Sequence, residues 1–209
     1  MSGVENMQTD EALLDDVTRS GNAFLRLYRW DPPTLSVGRN QPITFRDVPV
    51  VRRPTGGQAV WHEHEVTYAV AAPIQLFGSL RAAYGEIHTR LAKALRAIGA
   101  NASLAPSRPT VRRSDLPASC FAAPVGGEIL VNGRKLVGSA QVRRGDAFLQ
   151  HGSILLDGSQ QRVAERTGET TLAVVLGRSV DFEEVARAVV ANWGERLEPS
   201  DIVASRAQG

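Results

Sequence analysis

Three runs of β-forming residues between positions 128 and 156 constrain the fold more than any other part of this chain. The first, 128–131, is followed by Asn132-Gly133, and the second, 135–142, begins almost at once. Asn-Gly tolerates positive φ at both central positions of a two-residue turn, so these runs read as a tight hairpin. Arg144-Gly145-Asp146 turns the chain again into the third run, 147–156. Strands joined in sequence order by short turns commit this region to an antiparallel sheet.

Further strands lie upstream. Residues 23–28 and 34–38 are split by the Asp31-Pro32-Pro33 turn, and 50–53 is a shorter run ending at Pro54-Thr55-Gly56-Gly57, which must be a loop. Residues 59–61 and 65–71 follow, with Val66, Tyr68 and Val70 alternating with polar or small residues. Helices flank this block. In 79–98, Leu80, Tyr84, Ile87, Leu91, Leu95 and Ile98 recur at helical spacing, with Ser79 as cap and Gly99 as stop. Residues 6–17 carry Met7, Leu13, Leu14 and Val17 near one face. Residues 181–197 read as a closing helix, with Asp181 and Glu184 placed like a capping box and Phe182, Val185, Val189 and Trp193 as its buried stripe. Residues 106–117 form a polar, Arg-rich connection. The expectation is an α+β fold of mixed, largely antiparallel sheets flanked by helices. It is read as a single domain over 1–209, with no repeat, linker or separate C-terminal accessory domain.

Length and charge narrow the function classes. A chain of 209 residues can bury a sizeable core. No apolar run approaches the roughly 20 residues that span a bilayer, and residues 1–6 lack the parts of a signal peptide. No membrane role is expected. The net charge of +2 and pI of about 9.0 suit acidic protein partners without demanding nucleic acid. Arg112-Arg113 and Arg143-Arg144 read as solvated pairs. The lone cysteine, Cys120, cannot form an internal disulfide or a cysteine-based zinc site, which points to a reducing cytoplasm. The histidines at 62, 64, 88 and 151 show no metal-ligand pattern beyond His62-x-His64, so no metal and no cofactor is expected.

Three segments can carry chemistry. Cys120 lies in Ser119-Cys120-Phe121-Ala122-Ala123-Pro124, fifteen positions before Lys135. A cation near a thiol favours the thiolate, the reactive form, although an isolated thiol is also ordinary core filler. Arg53 to His62 passes through Gly56-Gly57, where paired glycines let backbone N–H groups approach a ligand; a Gly-Gly turn is otherwise simply structural. Lys135 leads into Gly138-Ser139-Ala140, whose small side chains leave room against a sheet. The bland reading is a hairpin strand with an exposed lysine. Gln150-His151-Gly152-Ser153 repeats the idea on the next strand, where a histidine is more often a hydrogen-bonded structural residue.

Taken together, these segments resemble the biotin/lipoate protein ligase catalytic-domain superfamily in its lipoate/octanoate branch. The resemblance runs from about residue 5 to residue 197. It is carried by the opening stretch Asn6 to Leu14, by Leu25 to Gly38, and by Arg52-Arg53-x-Thr55-Gly56-Gly57 through Ala59-Val60-x-His62. Lys135-x-x-Gly138-Ser139-Ala140-Gln141 and Leu149-Gln150-His151-Gly152-Ser153-Ile154-Leu155 complete it. The run Glu63 to Tyr68 and the Cys120 motif look like the cysteine-dependent octanoyltransferases. That likeness implies octanoyl transfer from an acyl carrier protein, through a Cys120 thioester, to a lysine of a lipoyl domain. The acceptor would be a glycine cleavage H protein or a 2-oxoacid dehydrogenase acyltransferase subunit. It implies Cys120 and Lys135 as catalytic residues, and Arg53, Gly56, Gly57, His62, Gly138, Ser139, Ala140, His151 and Gly152 as substrate-binding. An ATP-dependent lipoate ligase, a relay amidotransferase between lipoyl domains and a non-catalytic lipoyl-domain binder are the alternatives. Two departures stand out. Gln58 occupies a position where relatives tend to have Arg or Gly, and Pro124-Val125-Gly126-Gly127-Glu128 replaces a Pro-Ser-x-Tyr-Glu pattern.

Overall fold

Local chemistry sets most element boundaries. Along the chain run α1 (Gly3–Ser20), β1 (Phe24–Tyr28), β2 (Thr34–Val37), β3 (Val50–Arg52), β4 (Val60–His62), β5 (Glu65–Pro73), a 3-10 turn (Ile74–Leu76), α2 (Leu80–Ala97), β6 (Ser103–Leu104), β7 (Ile129–Val131), β8 (Arg134–Arg144), β9 (Ala147–Leu155), α3 (Leu172–Leu176), α4 (Phe182–Ala191) and β10 (Ile202–Ala204). The structure is a computed structural model that describes residues 1–106, 126–164 and 168–194 and the backbone of 202–204. Asn132 and Gly133 adopt φ of 51° and 75°, the conformation their side chains permit, and β7 and β8 pair antiparallel around them.

The strands form two sheets. The larger has the order β10-β1-β5-β9-β8-β7-β6 and the smaller β3-β2-β4. Pairing is antiparallel except between β1 and β10 and between β2 and β3. Along β5, Val66, Tyr68, Val70 and Ala72 face α2 and α4, where Ile87, Leu91, Leu95, Val185 and Val189 complete the main core. The alternate residues Ala69 and Ala71 face α1, where Met7, Leu14 and Val17 pack on Tyr28 and Trp30. Because both faces of β5 are covered, every one of its residues is buried.

Several boundaries differ from the sequence expectations. The first helix starts earlier than residue 6, because Ser2 and Glu5 form a reciprocal capping box. The closing helix ends at Ala191, not 197; residues 195–197 lie outside the described residues. Asp181 does cap it by accepting from the Glu184 N–H, but the Glu184 carboxylate pairs with Arg178. The strand expected at 59–61 is Val60–His62. The short β6, α3 and β10 carry too few residues for a periodic signal. Most of the Arg-rich connection, from 107 to 117, falls outside the described residues.

Candidate active site

A cleft of about 350 Å3, counting its open mouth, lies between α1, the small sheet and strands β8 and β9. Met7, Tyr28, Trp30 and Val60 give it apolar walls. Ser36, Arg53, His62 and His151 give it polar ones. Gly138 and Ala140 on β8 lie opposite Ser153 and His151 on β9. With almost no side chain, they leave open the space that the cleft occupies.

The loop from Arg53 to His62 is held rigid from several sides. The Arg53 guanidinium is buried and donates to the carbonyl oxygens of Gly56 (2.9 Å) and Gln58 (2.6 Å) and to the Ser36 hydroxyl (3.0 Å). The contact at position 58 is to main chain, so it does not depend on which side chain stands there. Gly38 backs the loop, since a Cβ there would lie 2.0 Å from the Gly57 carbonyl oxygen.

Two histidines fasten this loop to the large sheet. His62 has Nε2 2.7 Å from the Ser36 hydroxyl and Nδ1 2.8 Å from Glu65, and its ring stacks on Trp30 with centroids 3.9 Å apart. His151 repeats the pattern, with Nε2 2.7 Å from the Thr55 hydroxyl and Nδ1 3.0 Å from Asp10. Asp10 also accepts from Arg26 (2.7 Å) and from the Tyr28 hydroxyl (2.8 Å), all buried. Burial, reinforced by the Asp10 charge, pushes the Tyr28 hydroxyl well above its ordinary pKa, so it stays a donor. In each case a hydroxyl, an imidazole and a carboxylate form one buried chain, the arrangement that fixes an imidazole in one orientation.

The opposite face of the large sheet carries a different cluster. Tyr68 and Ser139 flank Gly152 in adjacent strands, and the Tyr68 hydroxyl lies 2.7 Å from the Ser139 hydroxyl. Gly152 makes this possible: a Cβ there would lie 2.5 Å from Ser139 Oγ and 2.8 Å from the Tyr68 ring. His88 of α2 places Nε2 2.8 Å from Ser139 Oγ and Nδ1 2.6 Å from the Gly127 carbonyl. Burial pushes His88 down to about 4; the Lys135 charge acts the same way, against the Gly127 hydrogen bond. A neutral ring must donate through Nδ1 to the carbonyl and accept at Nε2 from Ser139. Burial also raises the Tyr68 hydroxyl above its usual range, and Gln150 donates to its oxygen at 3.0 Å.

Lys135 is buried, and its ammonium lies 2.6 Å from Glu128. The bland reading of an exposed hairpin lysine does not hold: the β7–β8 turn is exposed, but Lys135 lies under the backbone of Gly168 and Thr170, which bonds to its own main chain. The structure brings Arg53, His62, Gly138, Ser139, Ala140, His151 and Gly152 together at the cleft. Gly56 and Gly57 stand in the loop behind Arg53, and the Ser139 hydroxyl turns away to the α2 face. Cys120 lies outside the described residues. His64 is largely exposed whereas His62 is buried, so the two do not form a chelating pair. Among the described residues, no cluster of His, Cys, Asp and Glu is suited to hold a metal ion, and no helix is long and apolar enough to cross a membrane.

Sequence reasoning missed Asp10, Ser36, Thr55, Glu65, Tyr68, His88 and Glu128. A charged residue within an apolar strand, Arg26 in Phe24–Tyr28, was the available sign of a buried ionic partner. A histidine on the apolar stripe of 79–98 was another.

Comparison with known proteins places this arrangement. The sequence matches the lipoyl protein ligase A/B catalytic domain over residues 2–194. It is 45% identical to the octanoyltransferase LipM of Carboxydothermus hydrogenoformans over 74% of this chain and 61% of that protein. It is 36% identical to the LipM of Kyrpidia tusciae over 99% of this chain and 89% of that protein. The chain thus spans about three fifths of the first relative's length. Among solved structures, lipoate-protein ligase A bound with ATP superposes with a TM-score of 0.69 at 19% identity, over 93% of this chain and 81% of that one. The bi-partite lipoate protein ligase of Thermoplasma acidophilum does so with 0.62 at 18% identity, over 95% and 82%; both likenesses concern the fold. With the family match running over residues 2–194 and through the Arg53–His62 loop, the chain belongs to the lipoyl protein ligase A/B catalytic domain family.

Proposed function

We propose that this protein is an octanoyltransferase that moves an octanoyl group from an acyl carrier protein to a lysine of a lipoyl domain, through a thioester on Cys120. The observation that carries the reading is the position of Lys135. Its buried ammonium is held by Glu128, and Glu128 follows directly on the segment that bears Cys120. That segment is closed at its base, since the Gly127 N–H bonds to Ala105 O (2.9 Å) and the Ala105 N–H to Glu128 O (2.7 Å). Both ends of the 106–126 stretch are thereby tethered beside the Lys135 pair. The resemblance to LipM octanoyltransferases over nearly the whole chain supports the same assignment.

In this scheme the Cys120 thiolate attacks the carrier's thioester carbonyl. A new C–S bond forms, the carrier's C–S bond breaks, and the carrier leaves as a thiol after taking up the proton. The neutral lysine amine of the acceptor then attacks the Cys120 thioester carbonyl; a C–N bond forms, the Cys120 C–S bond breaks, and the proton the amine gives up passes to the departing sulfur, restoring the thiol. The first step exchanges one thioester for another and the second is downhill, so no nucleotide is consumed. Lys135 stabilises negative charge on sulfur or on the carbonyl oxygen. The apolar walls at Met7, Tyr28, Trp30 and Val60 receive the acyl chain, and Gly138 and Ala140 leave it room. The acceptors are lipoyl domains of H-protein or 2-oxoacid dehydrogenase type, and one catalytic domain performs both steps in the cytoplasm.

Intact-mass spectrometry tests the reading. Mixing the protein with octanoyl carrier protein adds one octanoyl group that hydroxylamine removes and that an apo lipoyl domain accepts. Cys120→Ala adds none. Full transfer by Cys120→Ala, or transfer that requires ATP, overturns the proposal.

A further inference from the structure

We propose that His88 is a positioning residue that fixes the Lys135–Glu128 pair from the far side of the sheet. The inference rests on Lys135 being the cation of the transfer reaction, and it assigns a part to a helix that contributes nothing to the cleft.

Three contacts and two stretches of chain close a ring. His88 Nδ1 donates to the Gly127 carbonyl at 2.6 Å. Gly127 is bonded to Glu128, whose carboxylate holds Lys135 at 2.6 Å. Four residues along β8, the Ser139 hydroxyl returns to His88 Nε2 at 2.8 Å. His88 therefore bonds to the residue next to Glu128, just ahead of β7, and to Ser139 on β8, the strand that carries Lys135. The grip has something to do, because the β7–β8 register slips between Ile129 and Leu130. Opposite that single step, β8 advances two residues, from Val137 to Lys135. A bulge re-aims side chains and weakens the ladder that would otherwise set their direction. The β7–β8 pairing alone does not set the direction of Lys135; the main-chain bonds to Gly168 and Thr170 hold its backbone, and the His88 contacts add a constraint on the residues either side of the pair.

The polar ring also has a cost that its partners offset. His88 stands beside Ile87 on the apolar face of α2 and is fully buried. A buried imidazole with an unmet nitrogen is destabilising, and here both nitrogens are met. Tyr84 covers the assembly edge-on, its ring 4.2 Å from the imidazole, and lies 3.6 Å from where a Cβ on Gly127 would sit. A side chain at 127 would press on that ring.

The chain's two lysines make a direct test possible: Lys93 is exposed and Lys135 is buried. Brief acetylation with acetic anhydride, resolved by peptide mass spectrometry, gives the reactivity of Lys135 relative to Lys93. His88→Asn keeps a group near Nδ1 and His88→Gln one near Nε2, so each cuts one side of the ring. Ile87→Val loosens the same helix and spares the ring. Both His88 variants are expected to raise the Lys135:Lys93 ratio about threefold or more, and to lower kcat for octanoyl loading about tenfold with KM little changed. Ile87→Val is expected to move neither. A ratio in both His88 variants equal to that of Ile87→Val overturns the proposal. A shifted ratio in a protein whose wild type takes up no octanoyl group upholds the positioning role and sinks the octanoyl assignment alone.

Discussion

The two faces of the large sheet use the same pieces to different ends. On the cleft face, His62 and His151 each set Nε2 against a hydroxyl and Nδ1 against a carboxylate, Glu65 and Asp10. On the α2 face, His88 also meets a hydroxyl, but its Nδ1 meets only the neutral carbonyl of Gly127. A carboxylate lets an imidazole orient a loop that carries charge, here the one built around Arg53. A carbonyl orients without adding charge, and Lys135 already has its counter-ion in Glu128. One strand serves both sides: Gly138 and Ala140 open the cleft, and the intervening Ser139 belongs to the other face because strand side chains alternate.

Asp10→Ala is expected to have the largest effect on this comparison. It leaves Arg26 as an uncompensated buried charge and also unties His151, at a cost of about 3–5 kcal/mol. Urea denaturation measures it, and a loss under about 1 kcal/mol would mean that the cleft-face chain is not the buried anchor described here.

Acid sharpens the contrast next. The ordinary histidine value is 6.5, and His88 sits near 4 when folded. Between these values the unfolded chain binds a proton that the folded one refuses, so stability falls as pH drops through this window and the loss levels off below about 4. Above 6.5 the effect vanishes. The total is roughly 3 kcal/mol. His88→Gln should flatten that part of the pH–stability curve, and an unchanged slope would contradict a neutral, buried His88.

Smaller effects separate the faces along one pair of strands. Gly152→Ala pushes a methyl group into Ser139, Tyr68 and the Gly138 carbonyl, at about 1–3 kcal/mol. Ala140→Val, on the cleft side, should leave the melting temperature nearly unchanged and raise KM for the octanoyl donor several-fold. Equal stability losses in the two variants would erase the division between a packed face and an open one.

Where partners are close in the chain, the sequence was a sufficient guide. The Asn132-Gly133 hairpin, the Ser79-capped helix and the run of strands through 155 all follow from backbone preferences and from periods of two and 3.6 residues. The glycine-rich loop, the Gly138-Ser139-Ala140 tract and the histidines at 62 and 151 were visible for the same reason, as residue types in local patterns. Tertiary structure alone decided what these residues touch. Thr55 and His151 are 96 positions apart, Asp10 and His151 are 141, and Tyr68 and Ser139 are 71. No local pattern encodes such pairings, because they arise only when strands order themselves 1-5-9-8 and helices cover both faces. The sequence therefore determined the elements and their chemistry. Burial and strand order determined that Lys135 is an internal ion pair, that the Ser139 hydroxyl turns from the cleft to the α2 face, and that His88 meets Gly127 and Ser139.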